Sequence, residues 1–463
     1  MEIKILDSVY SLIVEKQYIP LISNLLSYKA EYWQKVSIKD KNGIPTGKFK
    51  KERKTYQKSM VLPSGVFFTG HVPKVVKHLS EKGILVSTAV QGSREMPQIR
   101  EIGINLYPDQ AKMVQRAVGA YRGLIKAPTG FGKTRMASAI ISSFEGIRTL
   151  FLCHTITLVH QTVKEFQKLG LNVGYITGTV KELTGDIVVS TVQSFVKQDQ
   201  ELYDTFDMVI VDEMHHLSKG PTKKKEGGYY FRVLTKLIAP LRYGLTATLP
   251  TGEETKLLAE GLIGPLIDEY SLKDGIEGGF LAVPKIKIIK IPVDYKVKEL
   301  RKYQDVYEQG IVKNRSRNRM IIKTAKDLAV LGKTSLILIT RIDHGENLVE
   351  TANLLGFKVV FIQGKDDGEM REMIRESLNN KEILTVISTN IWKEGVDLPA
   401  LDCVINAAGG KSEIALLQSI GRGLRATKDK DSVLIVDFLD LSHHYLISHF
   451  GERLSIFSEM DWL

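Results

Sequence analysis

Two successive series of short apolar segments, each alternating with longer amphipathic stretches, constrain the fold of this chain more than any other feature. Such alternation is typical of parallel strands connected by helices, because helices cover both faces of a parallel sheet. The first series occupies residues 123–127, 148–153, 186–190, 207–212 and 242–246, and the second occupies residues 334–340, 358–363, 383–388, 402–407 and 432–437. The sequence therefore predicts two doubly wound α/β domains in tandem.

Changes in sequence pattern mark the boundaries of these domains. Glycines and a proline in residues 275–284 interrupt the periodicity between the two series. The first hundred residues instead contain alternating strand-like runs, turn signals and one amphipathic helix. We therefore predict a small N-terminal α/β domain over residues 1–95, a first doubly wound domain over residues 96–282 and a second over residues 283–463.

Positive charge is concentrated in the N-terminal segment. Residues 1–100 contain 17 Lys and Arg against 8 Asp and Glu, whereas the whole chain carries a formal charge of +11. A basic segment attached to a nearly neutral remainder is expected where a protein binds a polyanion such as nucleic acid. The alternative is a solvated basic face that serves only solubility.

The sequence also bears on the cellular environment. No run of about 18 apolar residues is present, and the start MEIKILDSVY lacks the basic segment and apolar core of a secretory signal. Cys153 and Cys403 both lie in apolar runs, which favours packing over a disulfide framework. We expect a cytoplasmic protein without a membrane partner.

A glycine-containing loop follows the first apolar run. Gly130 and Gly132 permit a tight turn that directs backbone N–H groups and a helix N-terminus towards phosphates. Lys133 would supply positive charge, and the Thr134 hydroxyl suits Mg²⁺. The residues expected to bind the nucleotide, APTGFGKT, are Ala127, Pro128, Thr129, Gly130, Phe131, Gly132, Lys133 and Thr134.

Two adjacent carboxylates, Asp212 and Glu213, follow the apolar run DMVIV. We expect Asp212 to hold Mg²⁺ together with Thr134, and Glu213 to orient and deprotonate the attacking water. With Lys133 as the third catalytic residue, the sequence predicts a site that hydrolyses a nucleotide with Mg²⁺. The neighbouring His215 and His216 have no Cys or His partners at ligand spacing, which argues against a second metal site.

Further short motifs, in their order along residues 105–426, resemble those of superfamily 2 helicases of the DExH type. YPDQ at 107–110 resembles the motif that recognises adenine, which implies that Gln110 binds the base. HTITLVHQ at 154–161 and STVQS at 190–194 resemble motifs that hold a nucleic-acid backbone, and TAT at 246–248 resembles the motif that couples hydrolysis to strand contacts. The implied nucleic-acid contacts are His154, Thr155, Gln161, Thr191 and Gln193.

The second series of strands carries two more of these motifs. STNIWKEGVDLP at 388–399 resembles helicase motif V, which implies that Thr389 contacts nucleic acid and that Gly395 and Asp397 approach the nucleotide. The resemblance implies two tandem RecA-like doubly wound parallel-sheet domains that close on ATP, preceded here by a small N-terminal α/β DNA-binding domain.

QSIGRGLR at 418–425 resembles helicase motif VI. The match implies that Arg422 and Arg425 are catalytic arginine fingers, which stabilise the charge that develops on the γ-phosphate. Ser419 stands where an arginine often follows the glutamine of this motif, and the difference affects only the contact that this arginine would make.

The N-terminal segment bears on the choice of nucleic acid. Residues 47–58 place six basic residues beside Phe49 and Tyr56, and basic side chains mixed with aromatic ones suit phosphate contact plus base stacking. Alternatively, the aromatic side chains pack the core of the small domain. The DNA contacts expected here are Lys50, Lys51, Arg53 and Lys54.

A short basic domain followed at once by a DExH core is similar to phage UvsW-type helicases, and residues 61–79 resemble part of their N-terminal domain. This resemblance implies an ATP-dependent DNA helicase or translocase that unwinds or branch-migrates forked and branched DNA, in the cytoplasm of a bacterial host. An RNA helicase of the DExH type and a non-catalytic DNA-binding scaffold are the alternatives.

Overall fold

The computed structural model describes residues 1–39, 45–91, 97–100, 103–218, 220–221, 226–279, 281–364, 366, 368–389, 398, 401–410 and 432–463. The chain divides into two compact units. Unit 1 comprises Met1–Ala127 and Lys133–Glu269, and unit 2 comprises Pro128–Gly132 and Tyr270–Leu463.

The N-terminal part of unit 1 is a small α/β structure with a long hairpin. Its elements are β1 (Glu2–Ile5), β2 (Tyr10–Ile13), α1 (Ile19–Leu25), β3 (Ser27–Lys39), β4 (Pro45–Ser59), β5 (Val66–Phe68), α2 (Val72–Glu81) and β6 (Ser87–Val90). Four strands form a mixed sheet in the order β5-β2-β1-β6, while β3 and β4 pair only with each other. Ile3, Ile22, Phe67 and Leu79 belong to its buried core.

The rest of unit 1 is an eight-stranded sheet covered by helices. Its strands are β7 (Arg122–Lys126), β8 (Thr149–Cys153), β9 (Val173–Ile176), β10 (Lys181–Glu182), β11 (Ile187–Thr191), β12 (Met208–Val211), β13 (Leu241–Thr246) and β14 (Leu266–Glu269). Their order is β10-β9-β11-β8-β12-β13-β7-β14, and every pair except β9 with β10 is parallel.

The helices of this sheet connect successive parallel strands or flank them. They are α3 (Pro108–Ala120), α4 (Lys133–Ser142), α5 (Ile156–Lys168), α6 (Val192–Phe195), α7 (Gln200–Tyr203), α8 (Tyr229–Lys236) and α9 (Glu253–Leu262). Strands β8, β11, β12 and β13 are buried along their whole length, as expected when helices cover both faces of a parallel sheet.

Unit 2 contains a six-stranded sheet in which all pairs are parallel. Its strands are β15 (Val283–Ile291), β16 (Ser335–Leu338), β17 (Val360–Ile362), β18 (Thr385–Ser388), β19 (Cys403–Asn406) and β20 (Ser432–Asp440), in the order β15-β20-β19-β16-β18-β17. Its helices are α10 (Leu272–Glu277), α11 (Tyr295–Lys298), α12 (Tyr303–Tyr307), α13 (Arg315–Val330), α14 (Ile342–Leu354), α15 (Gly368–Asn379) and α16 (His444–Glu459), with a π-helix at Glu308–Val312.

The predicted architecture of two tandem parallel α/β sheets behind a small α/β segment is confirmed. Each predicted apolar run forms a strand, while β9, β10, β14 and β15 are additional strands. Across the part of the chain that the structure describes, none of the helices combines the length and apolar character that crossing a bilayer requires.

Candidate active site

The carboxyl ends of neighbouring parallel strands bring the predicted site residues of unit 1 to one edge of its sheet. His154 follows β8, Thr191 ends β11, Asp212 follows β12 and Thr246 ends β13. Because β11, β8, β12 and β13 are adjacent and parallel, these residues share the edge at which open α/β sheets bind their ligands.

The loop after β7 has the backbone conformation that its glycines predict. Gly130 and Gly132 have φ angles of +88° and +85°, in the left-handed region where a side chain is strained. Ala127 N donates to Thr246 O at 2.9 Å, which fixes the start of the loop to β13. Helix α4 then begins at Lys133, so strand, turn and helix follow in the predicted order.

Lys133 lies beside the acidic end of β12. Its Nζ donates to Ala127 O at 3.3 Å and lies 3.9 Å from Glu213 Oε1, with only a tenth of the side chain exposed. The ammonium group is therefore held between the start of the loop and the predicted catalytic carboxylate, where a polyphosphate could contact it. This arrangement fits a nucleoside triphosphate.

Asp212 and Glu213 have different environments. Burial, and secondarily the carboxylate of Glu213, raise the pKa of Asp212 to about 7 even though Lys133 opposes the shift. A carboxylate whose ionised form is so costly fits a divalent cation as its partner. Glu213 has a φ of +50°, in the left-handed region that is uncommon for a residue other than glycine.

His215 connects this acidic pair to the TAT segment. Its Nδ1 lies 3.3 Å from Glu213 Oε2 and 3.2 Å from Thr246 Oγ1. Because Thr246 Oγ1 donates its own proton to Thr248 O at 2.5 Å, it can only accept from His215, so Nδ1 carries the proton. No motif in the sequence indicates this role of His215, because the link depends on β12 and β13 being neighbours.

Several residues that are predicted to contact the nucleic-acid strand also have structural roles. The Thr155 hydroxyl accepts from Leu158 N at the start of α5, and the Thr191 hydroxyl accepts from Ser194 N at the start of α6. The imidazole of His154 stacks on that of His216 with 3.8 Å between ring centroids. Gln161 and Gln193 are half-buried, and Thr389 is buried. Nucleic-acid binding by these residues stays a prediction.

Gln110 is also part of a helix start. Its Oε1 accepts from Tyr107 N at 3.0 Å, and the side chain is almost fully buried in the capping box of α3. The carbonyl end of the amide therefore holds the chain at the point where α3 begins. Binding of adenine by Gln110 stays a prediction.

The loop after β7 has an aromatic partner that the sequence did not indicate. Phe131 stacks on Tyr270, with ring centroids 4.1 Å apart and planes inclined by 25°. Both residues belong to unit 2, in which Tyr270 is the first residue after the end of β14. The loop that Gly130 and Gly132 shape is thus packed against the segment that leads into the second sheet.

The remaining predicted site residues lie either outside the described residues or on the exposed hairpin. Gly395, Asp397, Arg422 and Arg425 lie outside the described residues. Lys50, Lys51, Arg53 and Lys54 are exposed on β4. Among the residues that the structure does describe, no three His, Cys, Asp or Glu side chains are grouped as a metal cluster requires.

Comparison with protein families gives two matches. The family of type III restriction enzyme res subunits matches residues 103–251, which contain the glycine loop, both carboxylates and the TAT segment. The helicase conserved C-terminal domain matches residues 317–427, which contain the STNIWKEGVDLP and QSIGRGLR segments.

Two curated proteins and one solved structure extend these matches. The DNA 3′–5′ translocase XPB2 of Sulfurisphaera tokodaii is 28% identical over 78% of this chain and 87% of its own length. The ATP-dependent DNA helicase uvsW of Enterobacteria phage T4 is 26% identical over 69% of this chain and 65% of its own length. The structure of Saccharomyces cerevisiae Dbp5 bound to RNA and ADP BeF3 covers 78% of this chain and 93% of Dbp5, with a TM-score of 0.55 and 14% identity; it bears on the fold alone.

Proposed function

This chain is an ATP-dependent DNA helicase of superfamily 2, and we propose that it works on forked and branched DNA. There it would migrate the branch point or displace one strand. The observation that carries this proposal is the N-terminal hairpin of β3 and β4, which presents exposed lysines and aromatic side chains and belongs to the same compact unit as the first motor sheet. Such a surface suits DNA whose strands have separated.

The chemical step follows from the residues at the edge of the first sheet. We propose that Lys133 neutralises the β- and γ-phosphates and that Asp212, with the Thr134 hydroxyl, holds Mg²⁺. Mg²⁺ would offset negative charge on the phosphate oxygens. Glu213, oriented by its left-handed backbone and by His215, would accept a proton from the attacking water.

The link from Glu213 through His215 to Thr246 gives hydrolysis a route to the strand contacts. Thr246 is the first residue of the TAT segment, and helix α9 begins at Glu253 shortly after that segment. Loss of the γ-phosphate would alter the charge beside Glu213 and hence the bond that His215 makes with Thr246. We propose that this change alters the grip on the tracking strand, and that the chain moves with the 3′–5′ polarity that the name of the Sulfurisphaera tokodaii relative gives.

Strand-release and ATP-turnover assays test this proposal. The substrates are a DNA fork, a Holliday junction, a duplex with a 3′ tail, a duplex with a 5′ tail and an RNA fork of the same sequence. We expect forks and junctions to stimulate turnover most, and the 3′-tailed duplex to be opened in preference to the 5′-tailed one. Equal stimulation by the RNA fork would favour an RNA helicase, and absence of turnover with every substrate would favour a scaffold.

A further inference from the structure

We infer that the hairpin of β3 and β4 is a two-sided wedge that enters the branch point, with one separated strand against each face. The inference rests on the proposed function, because it assigns to this hairpin the place where the two strands part. It goes further in predicting that opposite faces of one hairpin contact different strands.

None of the described side chains in the outer part of the hairpin, from Glu31 to Ser37 and from Phe49 to Thr55, is buried. The strands pair in regular antiparallel register from Ser27 with Ser59 to Ser37 with Phe49. From Glu31 to Lys39 the strand extends about 30 Å at 3.4 Å per residue. A two-stranded hairpin exposed on both sides is marginally stable in water unless something binds it. The length and exposure of this part thus indicate an element that is covered by a ligand.

One face of the hairpin combines tyrosines with lysines. Directly paired residues point to the same side of a sheet, so this face is formed by Tyr32 with Lys54, Val36 with Lys50, and Tyr56. The Tyr32 and Tyr56 rings meet edge to face, 5.7 Å apart, and remain 45% and 50% exposed. Exposed aromatic rings between cationic side chains can stack on unpaired bases while the lysines contact phosphates.

The opposite face has the same chemical character. It carries Lys35 opposite Lys51, and Phe49 near the outer end, where its side chain is 64% exposed. Arg53 also lies on this face and forms an ion pair with Glu31. A hairpin that lay along one duplex would need only one such face, because its other face would be covered by protein or left polar. Cations and aromatic rings on both faces fit two separate strands.

The inner end of the hairpin contacts helix α9, which belongs to the eight-stranded sheet of unit 1. Lys29 N donates to Glu253 Oε2 at 3.0 Å, and burial together with a hydrogen bond to Glu254 raises the pKa of the Tyr28 hydroxyl. Nearby, a Cβ on Gly70 would lie only 2.1 Å from Glu260 O. Because α9 follows the TAT segment, the wedge is mounted on the part of unit 1 that adjoins the ATP site.

A hairpin truncation gives the first test. Residues 32–54 are replaced by Asn-Gly, whose type I′ turn suits a two-residue hairpin loop, so that Glu31 remains opposite Thr55. We expect ATP turnover without DNA to stay within about twofold of the parent, while strand release from forks falls by about tenfold or more, because both strand-binding faces are removed. Unchanged strand release would overturn the wedge.

Site-specific photocross-linking tests the two faces separately in the full-length chain. Tyr32→p-benzoylphenylalanine places the probe on one face, and Phe49→p-benzoylphenylalanine places it on the other. On a fork with differently labelled strands, we expect the two variants to cross-link to different strands, and neither to cross-link above background to an unbranched duplex. Cross-linking of both variants to the same strand contradicts a two-sided wedge. Failure of the parent protein to open forks would instead contradict the proposed function.

Discussion

Lys133 has an environment that suits one task, the binding of phosphates. Its Nζ donates to Ala127 O and lies near Glu213 Oε1. We expect Lys133→Ala to lower ATP turnover by at least about a hundredfold, because a desolvated charge interaction with the transition state is worth several kcal/mol. Phosphate release measures the loss.

Lys126→Ala is the matched control for that variant. Lys126 ends β7 but pairs with Glu269 at 2.5 Å, at the edge of the sheet. We expect it to retain most of its turnover and both variants to bind forked DNA as the parent does. Equal loss of turnover in the two variants would show that the loop region is merely sensitive to any change.

His215 should affect coupling more than catalysis itself. His215→Ala removes the imidazole that lies between Glu213 and Thr246 while leaving Lys133 and Asp212 in place. We expect the stimulation of turnover by DNA to fall by about tenfold, the equivalent of one charge-assisted hydrogen bond, with a smaller loss of basal turnover. The exposed His160→Ala serves as control. A basal loss as large as the stimulated loss would make His215 part of the chemical step.

Two buried histidines make the folded chain sensitive to acid. Burial lowers the pKa of His71 and of His344 from 6.5 to about 3. Because the folded pKa is below the unfolded one, the stabilisation is complete above pH 6.5 and is lost as the pH falls towards 3. At pH 5 each histidine should cost about 2 kcal/mol of unfolding free energy. Urea midpoints at pH 7.5 and 5.0 measure this cost, and His344→Gln should reduce the difference between them; an unchanged difference would contradict it.

At the residue scale, motifs could be recognised along the chain, whereas the contacts between side chains from different strands could not. Gly130 and Lys133 could be predicted from the sequence because a phosphate-binding loop places its residues in one short segment, and Asp212 could be predicted because it follows an apolar strand. Their roles stay predictions. The bond between His215 and Thr246 joins residues from different strands and depends on strand order. The hydroxyls of Thr155 and Thr191 cap helices, a local role that their match to helicase motifs did not suggest.

At the scale of the elements, the C-terminal ends of helices α8 and α9 are hydrogen-bonded to one buried side chain. Arg242 on β13 is fully buried and donates to the carbonyl oxygens of Leu234, Leu237 and Leu262 at 2.6–2.7 Å. These carbonyls belong to the last turns of the two helices, where backbone acceptors lack partners within the helix. A single arginine therefore fixes both helix ends to the sheet.

We expect Arg242→Met, which keeps much of the volume, to lower the free energy of unfolding by about 3 kcal/mol or more, because it leaves buried acceptors unsatisfied. Urea denaturation measures the change. Arg232→Met on the partly exposed side of α8, where Arg232 pairs with Glu226, should cost less than about 1 kcal/mol. Equal effects would mean that Arg242 does not fix the helix ends.

The predictability of elements depended on burial. Strands β8, β12 and β19 are buried along their whole length, and apart from Thr149 and Asn406 they are apolar, so their runs stand out in the sequence. Strands β10 and β14 lie at sheet edges, where partial exposure permits Lys181, Glu182 and Asp268. The length of the β3–β4 hairpin was also missed, because polar residues occupy both faces and no apolar alternation marks the pairing.

At the scale of the whole molecule, the N-terminal segment packs against the eight-stranded sheet of unit 1 and shares a buried core with it. Val9 is fully buried in the same apolar cluster as Leu152 and Val211 of the first motor sheet, and Tyr10 and Phe68 pack against that cluster. Arg122 of β7 also donates to Ser8 O at 2.8 Å. These contacts explain why residues on both sides of the predicted boundary at residue 95 form one compact unit.

Removal of residues 1–95 should therefore destabilise the motor. The deletion exposes apolar surface around Leu152 and leaves Arg122 without one acceptor. We expect the thermal midpoint of the fragment to fall by several degrees, as follows from a loss of a few kcal/mol in a chain of this size. Replacement of residues 32–54 by Asn-Gly should leave the midpoint nearly unchanged. Equal midpoints for the parent and the fragment would contradict a shared core.

The two native thiols are closed to solvent. Cys153 lies on β8 and Cys403 on β19, both fully buried, and burial raises the pKa of both thiols. Because the thiolate is the species that reacts with alkylating dyes, we expect a maleimide fluorophore not to label Cys153 or Cys403. A single cysteine introduced on the hairpin, for example Ser37→Cys, can thus be labelled in the otherwise native chain. Single-molecule fluorescence could then follow each catalytic cycle without prior removal of endogenous cysteines.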